Sequence, residues 1–146
     1  MTLGCSVCPE LALDQWGHEI VASLNGKRYP FGGVIELTDR CNLTCVHCYI
    51  NQAAGDQAFK ARELSLEQVK SIIDQLAEAG TLFLTLTGGE VLLRPDFSAI
   101  YMYARQHGLL VTLFTNGTLI TQKIADLLAD SHPQLVEITL YGATEG

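Results

Sequence analysis

A chain of 146 residues is long enough to bury a real core as one domain. Its 9 Lys and Arg against 16 Asp and Glu give a net charge of −7, and a surface without clustered basic residues is a poor match for a phosphate backbone, so nucleic acid is excluded as the expected partner. No apolar run approaches the roughly 18 residues of a membrane span and the N-terminus has no basic-then-apolar signal pattern, so the expectation is a cytoplasmic protein with no membrane partner.

Five cysteines, an odd number and all before position 50, suit metal chemistry in a reducing compartment better than a disulfide framework. Residues 1–32 read as an N-terminal extension with a short helix. Cys5-Ser6-Val7-Cys8 is a C-x-x-C pair open to a metal or redox role, or to none, since two further ligands are not nearby. Asp14 can cap a helix carrying Trp16, Ile20, Val21 and Leu24 on one face, with Asn25-Gly26 as its stop. Trp16 is most simply a core anchor.

The apolar run 34–38 is the first strand, and Cys41-Asn42-Leu43-Thr44-Cys45-Val46-His47-Cys48-Tyr49 hangs from its end. Three thiols spaced C-x-x-x-C-x-x-C can converge on one inorganic centre. A four-iron cluster normally takes four cysteine thiolates, so three leave one iron open. An open metal position marks a site that binds a reactant, where a closed one is structural. The same spacing also fits a partial zinc site with His47 as the fourth ligand, or three unrelated thiols in a buried loop.

Residues 51–62, polar and rich in Ala and Gly, read as a loop. Ser65-Leu66-Glu67-Gln68 is a capping box with Leu64 and Val69 at staple positions. Val69, Ile72, Ile73 and Leu76 then repeat at helical spacing up to Gly80. The run 81–87 is a second strand, and Gly88-Gly89-Glu90 follows it: two residues without Cβ that let backbone approach a ligand closely, then a negative acceptor. Pro95 opens a helix with Phe97, Ile100, Tyr101 and Ala104 inward and Gly108 as its stop. Residues 109–115 form a third strand. Thr121 caps a helix with Ile124, Leu127 and Leu128 on one face, ending before Pro133. Residues 135–140 form a fourth strand, and 142–146 a short tail. Strands and helices in near-continuous apolar alternation predict a parallel α/β sheet covered by crossover helices, with each motif at the carboxyl end of a strand on one common rim.

Cys41, Cys45 and Cys48 with the aromatic Tyr49 after the third, then Thr87-Gly88-Gly89-Glu90, Thr115-Asn116-Gly117 and Ile138-Thr139-Leu140-Tyr141-Gly142, stand in an order that resembles the radical S-adenosylmethionine (radical SAM) superfamily. The resemblance runs from about Gly33 to the last residue. It implies βα repeats of a partial TIM-type (β/α)6 barrel, of which this chain supplies the N-terminal four-strand portion: a core over 33–146, truncated after the fourth strand. It further implies a 4Fe-4S cluster on Cys41, Cys45 and Cys48, whose open iron is chelated by the amino and carboxylate groups of SAM. The implied activity is reductive cleavage of SAM to a deoxyadenosyl radical that abstracts a substrate hydrogen. Gly88, Gly89 and Glu90 are then expected at the SAM ammonium, Tyr49 over the cluster and along the adenine, and Asn116 and Thr139 at the SAM cleft.

Val91 stands where members of the family commonly carry proline, and Thr139 where many have serine. The likeness is greatest to peptide- and protein-modifying maturases that carry a C-terminal SPASM-type cluster domain, although no cysteine follows Cys48 here. A peptide or protein substrate and a reductant such as ferredoxin or flavodoxin are the implied partners. Arg40, beside Cys41, is expected to lower thiolate and cluster energies by its charge. His47 is expected next to the cluster, and His18, His107 and His132 at the surface. Four strands do not close a barrel, so self-association through the open edge at 135–140 is also expected. The contrasting expectation is a catalytically incomplete iron-sulfur or zinc module, or a truncated gene product.

Overall fold

The computed structural model describes residues 29–50 and 52–140, with positions 18, 19, 22 and 26 besides. The expectations for Cys5, Cys8, Trp16 and the helix around it, and for Tyr141 and the tail, lie outside the described residues.

In chain order the elements are β1 (Gly32–Glu36), β2 (Arg40–Cys41), β3 (Gln52–Ala53), α1 (Gln57–Lys60), α2 (Leu66–Glu78), β4 (Phe83–Thr87), a 3-10 turn (Val91–Leu93), α3 (Phe97–Gln106), β5 (Leu110–Thr115), α4 (Gln122–Asp130) and β6 (Leu135–Ile138). Four strands form one parallel sheet in the order β1-β4-β5-β6, with Val34 beside Thr85, Thr85 beside Thr112 and Thr112 beside Leu135. This is the parallel α/β repeat expected from the alternation of strand and helix.

Period-two alternation sorts the strand residues between two environments. Ile35, Leu84, Leu86, Val111 and Leu113 are buried with Val69 and Ile73 of α2 and Phe97, Ile100, Tyr101 and Ala104 of α3. The other face carries Val34, Glu36, Thr85, Thr87 and Phe114, and these line an open cavity. One face therefore holds the fold together and the other borders the cavity.

Local chemistry explains the element ends. Ser65 Oγ accepts the Gln68 N–H and Gln68 Oε1 accepts the Ser65 N–H, which completes the predicted capping box of α2. Gly80, just beyond the helix, adopts φ +86°, the left-handed conformation that suits glycine. Asp96 stands at the N-cap of α3 but makes no capping bond, because Arg94 takes both carboxylate oxygens at 2.9 and 2.6 Å. Pro95 thus precedes that cap rather than opening the helix itself.

Two further expectations are corrected. Residues 51–62 are not simply a loop: Asp56 Oδ1 accepts from Ala58 and Phe59 and caps α1, and β3 pairs with β2. The first strand ends at Glu36, two residues early, because Thr38 turns its hydroxyl toward Glu63 and accepts the Arg40 N–H. Among the described residues no helix is long and apolar enough to cross a membrane.

Candidate functional site

The pair β2–β3 brackets the cysteine loop. Arg40 lies in β2 and is nearly fully buried; its Nε donates to Glu63 Oε1 at 2.7 Å and its Nη1 to the Ala54 carbonyl at 2.6 Å. One guanidinium therefore ties the residue before Cys41 to the chain that returns after Cys48. The expectation that Arg40 lends its charge to the thiolates is corrected, because that charge is spent on Glu63 and Arg40 is not among the residues lining the cavity. Burial alone would push the Glu63 carboxyl up; hydrogen bonds from Arg40 and Thr38 and the charges of Arg40 and Arg94 outweigh it and hold the group below the ordinary carboxylate range.

Gly88 and Gly89 join β4 to this base. Gly89 N–H donates to the Thr38 carbonyl at 2.7 Å and Glu90 N–H to the Arg40 carbonyl at 2.9 Å. A Cβ on Gly88, at φ +136°, would stand 2.3 Å from the Thr38 oxygen, and one on Gly89 would stand 2.3 Å from the Arg40 oxygen. The close approach that requires glycine is thus first an approach to residues 38–40, on which the cysteine loop is founded. Both glycines also line the cavity.

The cavity measures about 520 Å³, and Cys41, Cys45 and Cys48, all free thiols, open onto it. Cys48 N–H donates to the Cys45 carbonyl at 3.0 Å, closing a tight turn between the second and third cysteines. Tyr49, Asn116 and Thr139 also line it, so the structure brings together three loops that are far apart in sequence. Tyr49 is largely exposed and its hydroxyl donates to Glu36 Oε1 at 3.1 Å across the sheet face. That hydrogen bond first, and then the Glu36 charge, raises the phenol above its ordinary range and keeps it a donor. His47 is an exposed part of the wall; His18 and His132 are exposed, and His107 pairs with Asp74 away from the cavity.

Glu90 is placed otherwise than expected. It is fully buried and does not line the cavity; it accepts from the Thr115 hydroxyl at 2.8 Å, from the Asn116 N–H at 2.8 Å and from the Leu92 N–H at 3.0 Å. Its carboxylate lies under the site and joins the ends of β4 and β5. Val91, in the place of the family's common proline, is a buried residue at the start of the 3-10 turn that Glu90 caps. Sequence reasoning passed over Thr115, Glu63, Asn42 and Thr118. Thr115 and Asn42 stand directly beside residues already chosen, which was the available signal; Glu63 and Thr118 carry none in the sequence.

The donor set fits an iron-sulfur centre better than a single ion. Three soft sulfur donors, Cys41, Cys45 and Cys48, line one cavity, a backbone N–H from Leu43 reaches Cys41 Sγ at 3.4 Å, and among the described residues no three of His, Cys, Asp and Glu are grouped to hold one ion. The cavity is also of a size to hold a small organic cofactor beside such a centre.

Residues 35–145 match the Radical SAM superfamily, about three quarters of the chain. The chain belongs to that superfamily of enzymes. It is 42% identical over 108 residues to the AdoMet-dependent heme synthase of Methanosarcina barkeri, a stretch covering 74% of this chain and 30% of that protein. It is 41% identical over 109 residues to the mycofactocin maturase MftC of Mycobacterium tuberculosis, covering 75% of this chain and 27% of that one. The chain thus spans less than a third of the length of these curated relatives. Among solved structures, SuiB of Streptococcus suis superposes with a TM-score of 0.61 at 23% identity over 83% of this chain and 27% of its own, which shows a shared fold. SuiB has also been solved with the precursor peptide SuiA and with S-adenosylmethionine.

Proposed function

We propose that the cavity is the cluster and SAM site of a radical SAM domain, formed by residues 33–146 and preceded by the extension 1–32. The observation that carries this reading is the convergence of Cys41, Cys45 and Cys48 with Gly88, Gly89 and Asn116 on one cavity of about 520 Å³. Cys41, Cys45 and Cys48 would hold a 4Fe-4S cluster through three thiolates, one fewer than the four such a cluster normally takes. When bound, the cluster supplies the electron that cleaves the SAM sulfonium to methionine and a deoxyadenosyl radical, which takes a hydrogen atom from the substrate.

The chain's own residues bind, orient and enclose. Gly88 and Gly89, which line the cavity, would present backbone to the methionine end of SAM, while Glu90 ties the ends of β4 and β5 together beneath them. Tyr49, steadied by Glu36, and Thr139 would flank the adenosine end, and Asn116 lines the same cavity with its Nδ2 3.7 Å from Cys41 Sγ. The sheet face not covered by helices, where Thr85, Thr87 and Phe114 line the same cavity, would be the side from which a substrate approaches.

The substrate is a peptide or protein; the maturase among the relatives and the peptide-bound SuiB support this. A tetrapyrrole is the second reading, favoured by the names heme synthase and Fe-coproporphyrin III synthase among the relatives. A one-electron donor of the ferredoxin or flavodoxin class is the partner, and free thiols at the site suit a cytoplasmic setting.

Anaerobic reconstitution with iron and sulfide tests the reading. Uptake of about four irons and a cubane spectrum that SAM perturbs are expected, with deoxyadenosine formed from SAM and dithionite. Cys41→Ala, Cys45→Ala and Cys48→Ala should each abolish all three. Tight zinc binding without a chromophore would favour an inert module instead.

A further inference from the structure

Around Cys41 the side chains of Asn116, Asn42 and Thr118 close a ring of hydrogen bonds. Asn116 Nδ2 donates to Asn42 Oδ1 at 2.9 Å, Asn42 Nδ2 donates to Thr118 Oγ1 at 2.8 Å, and Thr118 Oγ1 donates to Asn116 Oδ1 at 2.6 Å. The orientation of the Asn116 amide is settled by chemistry: its Oδ1 also takes the Thr118 backbone N–H at 3.0 Å, a group that can only donate. The Nδ2 end therefore faces Cys41, and Nδ2 stands 3.7 Å from Sγ, within range for a hydrogen bond to sulfur. From below, Glu90 Oε2 accepts the Asn116 N–H, so backbone and side chain of Asn116 are both fixed before any ligand arrives.

A hydrogen bond to a ligating sulfur withdraws charge from it and favours the more negative, reduced cluster; such bonds are among the determinants of iron-sulfur potentials. We propose that Asn116 is a positioning residue for Cys41, whose amide N–H, aimed by Asn42 and Thr118, donates to the ligating sulfur and raises the reduction potential of the cluster. Cys41 already receives the Leu43 N–H at 3.4 Å, so two donors reach this thiol, one of them set by a loop 75 residues away. The proposal rests on the reading of Cys41 as a cluster ligand. It gives the Thr-Asn-Gly segment a task in electron transfer besides lining the cofactor space.

The test is an EPR-monitored redox titration of anaerobically reconstituted protein in the absence of SAM. Asn116→Leu removes the donor at similar size, and its cluster should titrate at a lower potential than wild type with the same iron content. Thr118→Val alters an exposed residue, loosens the aim of the amide and should give a smaller downward shift; it decides the matter if Asn116→Leu does not load iron. Thr118→Ser keeps the ring and should titrate as wild type. An unmoved potential in the variants that load would overturn the proposal while leaving the cluster reading intact. Wild-type protein that takes up no iron would instead overturn the cluster reading, and the proposal with it.

Discussion

Glu90 Oε2 accepts the backbone N–H of Asn116 at 2.8 Å, and through this bond the loops after β4 and β5 become one unit. The same carboxylate takes the Thr115 hydroxyl and the Leu92 N–H, at zero exposure. A buried polar group in this position is stable only while its partners are complete.

Glu90→Gln is therefore expected to weaken the fold before it weakens any ligand. The amide cannot accept at both ends, so its NH2 confronts either the Asn116 or the Leu92 N–H. Hydrogen bonds to charged groups contribute about 1.5–3 kcal/mol, and a loss of that order should appear in the urea midpoint of cluster-free protein. A carboxylate that served only as a contact to SAM would leave the cluster-free midpoint where it was.

Gly89→Ala tests the seam between the Gly-Gly segment and the cysteine loop. The new Cβ would stand 2.3 Å from the Arg40 oxygen and 2.8 Å from that of Asp39, backbone atoms that can move only by displacing Cys41. Overpacking typically costs about 1–3 kcal/mol, and a backbone clash is placed at the upper end or above. Lower stability together with impaired iron uptake is expected. Gly55→Ala, with nothing within 4 Å of its Cβ, is the control and should leave both unchanged.

Acid should loosen the base of the loop. Glu63 is held below its ordinary range as described, and Asp96 likewise, first by hydrogen bonds from Arg94 and then by its charge, against the opposing effect of burial. Carboxyls depressed in the folded state bind fewer protons there than when unfolded, so their stabilisation is fully present above the unfolded values, about 3.9–4.3, and is lost as pH falls through the folded ones. Urea midpoints of cluster-free protein should stay level from pH 7 to about 5 and then decline. Glu63→Gln should lower the plateau and flatten the decline; an unchanged acid limb would show that Glu63 is not coupled to folding.

The parallel sheet, the capping box at Ser65 and the buried set Phe97, Ile100, Tyr101 and Ala104 were legible because each is written in local periodicity. The three cysteines stood out by their spacing, and Gly88-Gly89 and Asn116 through the resemblance to a family; the structure places all of them on the wall of one cavity. The direction in which a carboxylate points was not legible. Glu90 reads as an acceptor for a ligand, and only the register of β4 against β5 turns it beneath the site, toward Thr115. Arg40 reads as a charge beside a thiolate for the same reason, since Glu63 is 23 positions away and becomes its partner only after α1 folds back. Asp96 shows the local version: a good capping residue loses its cap to Arg94, a competitor two residues off.

The exposed margin of the sheet leads to the final prediction. Among the described residues β6 pairs with β5 alone, and Leu135, Ile138 and Leu140 are 51%, 54% and 79% exposed. A strand with one row of unpaired amides and carbonyls beside apolar side chains is a template for another chain. The 146-residue polypeptide, produced by itself, is therefore expected to self-associate in a concentration-dependent way, through β6 rather than through the cavity. Leu135→Lys with Leu140→Lys places charge at two exposed positions and should shift sedimentation toward monomer without altering iron uptake, because neither residue lines the cavity. Sedimentation velocity on the wild type and this double variant separates the outcomes. A wild-type polypeptide that stays monomeric across the concentration range would show that the β6 edge is protected, and association that survives both lysines would place the contact elsewhere.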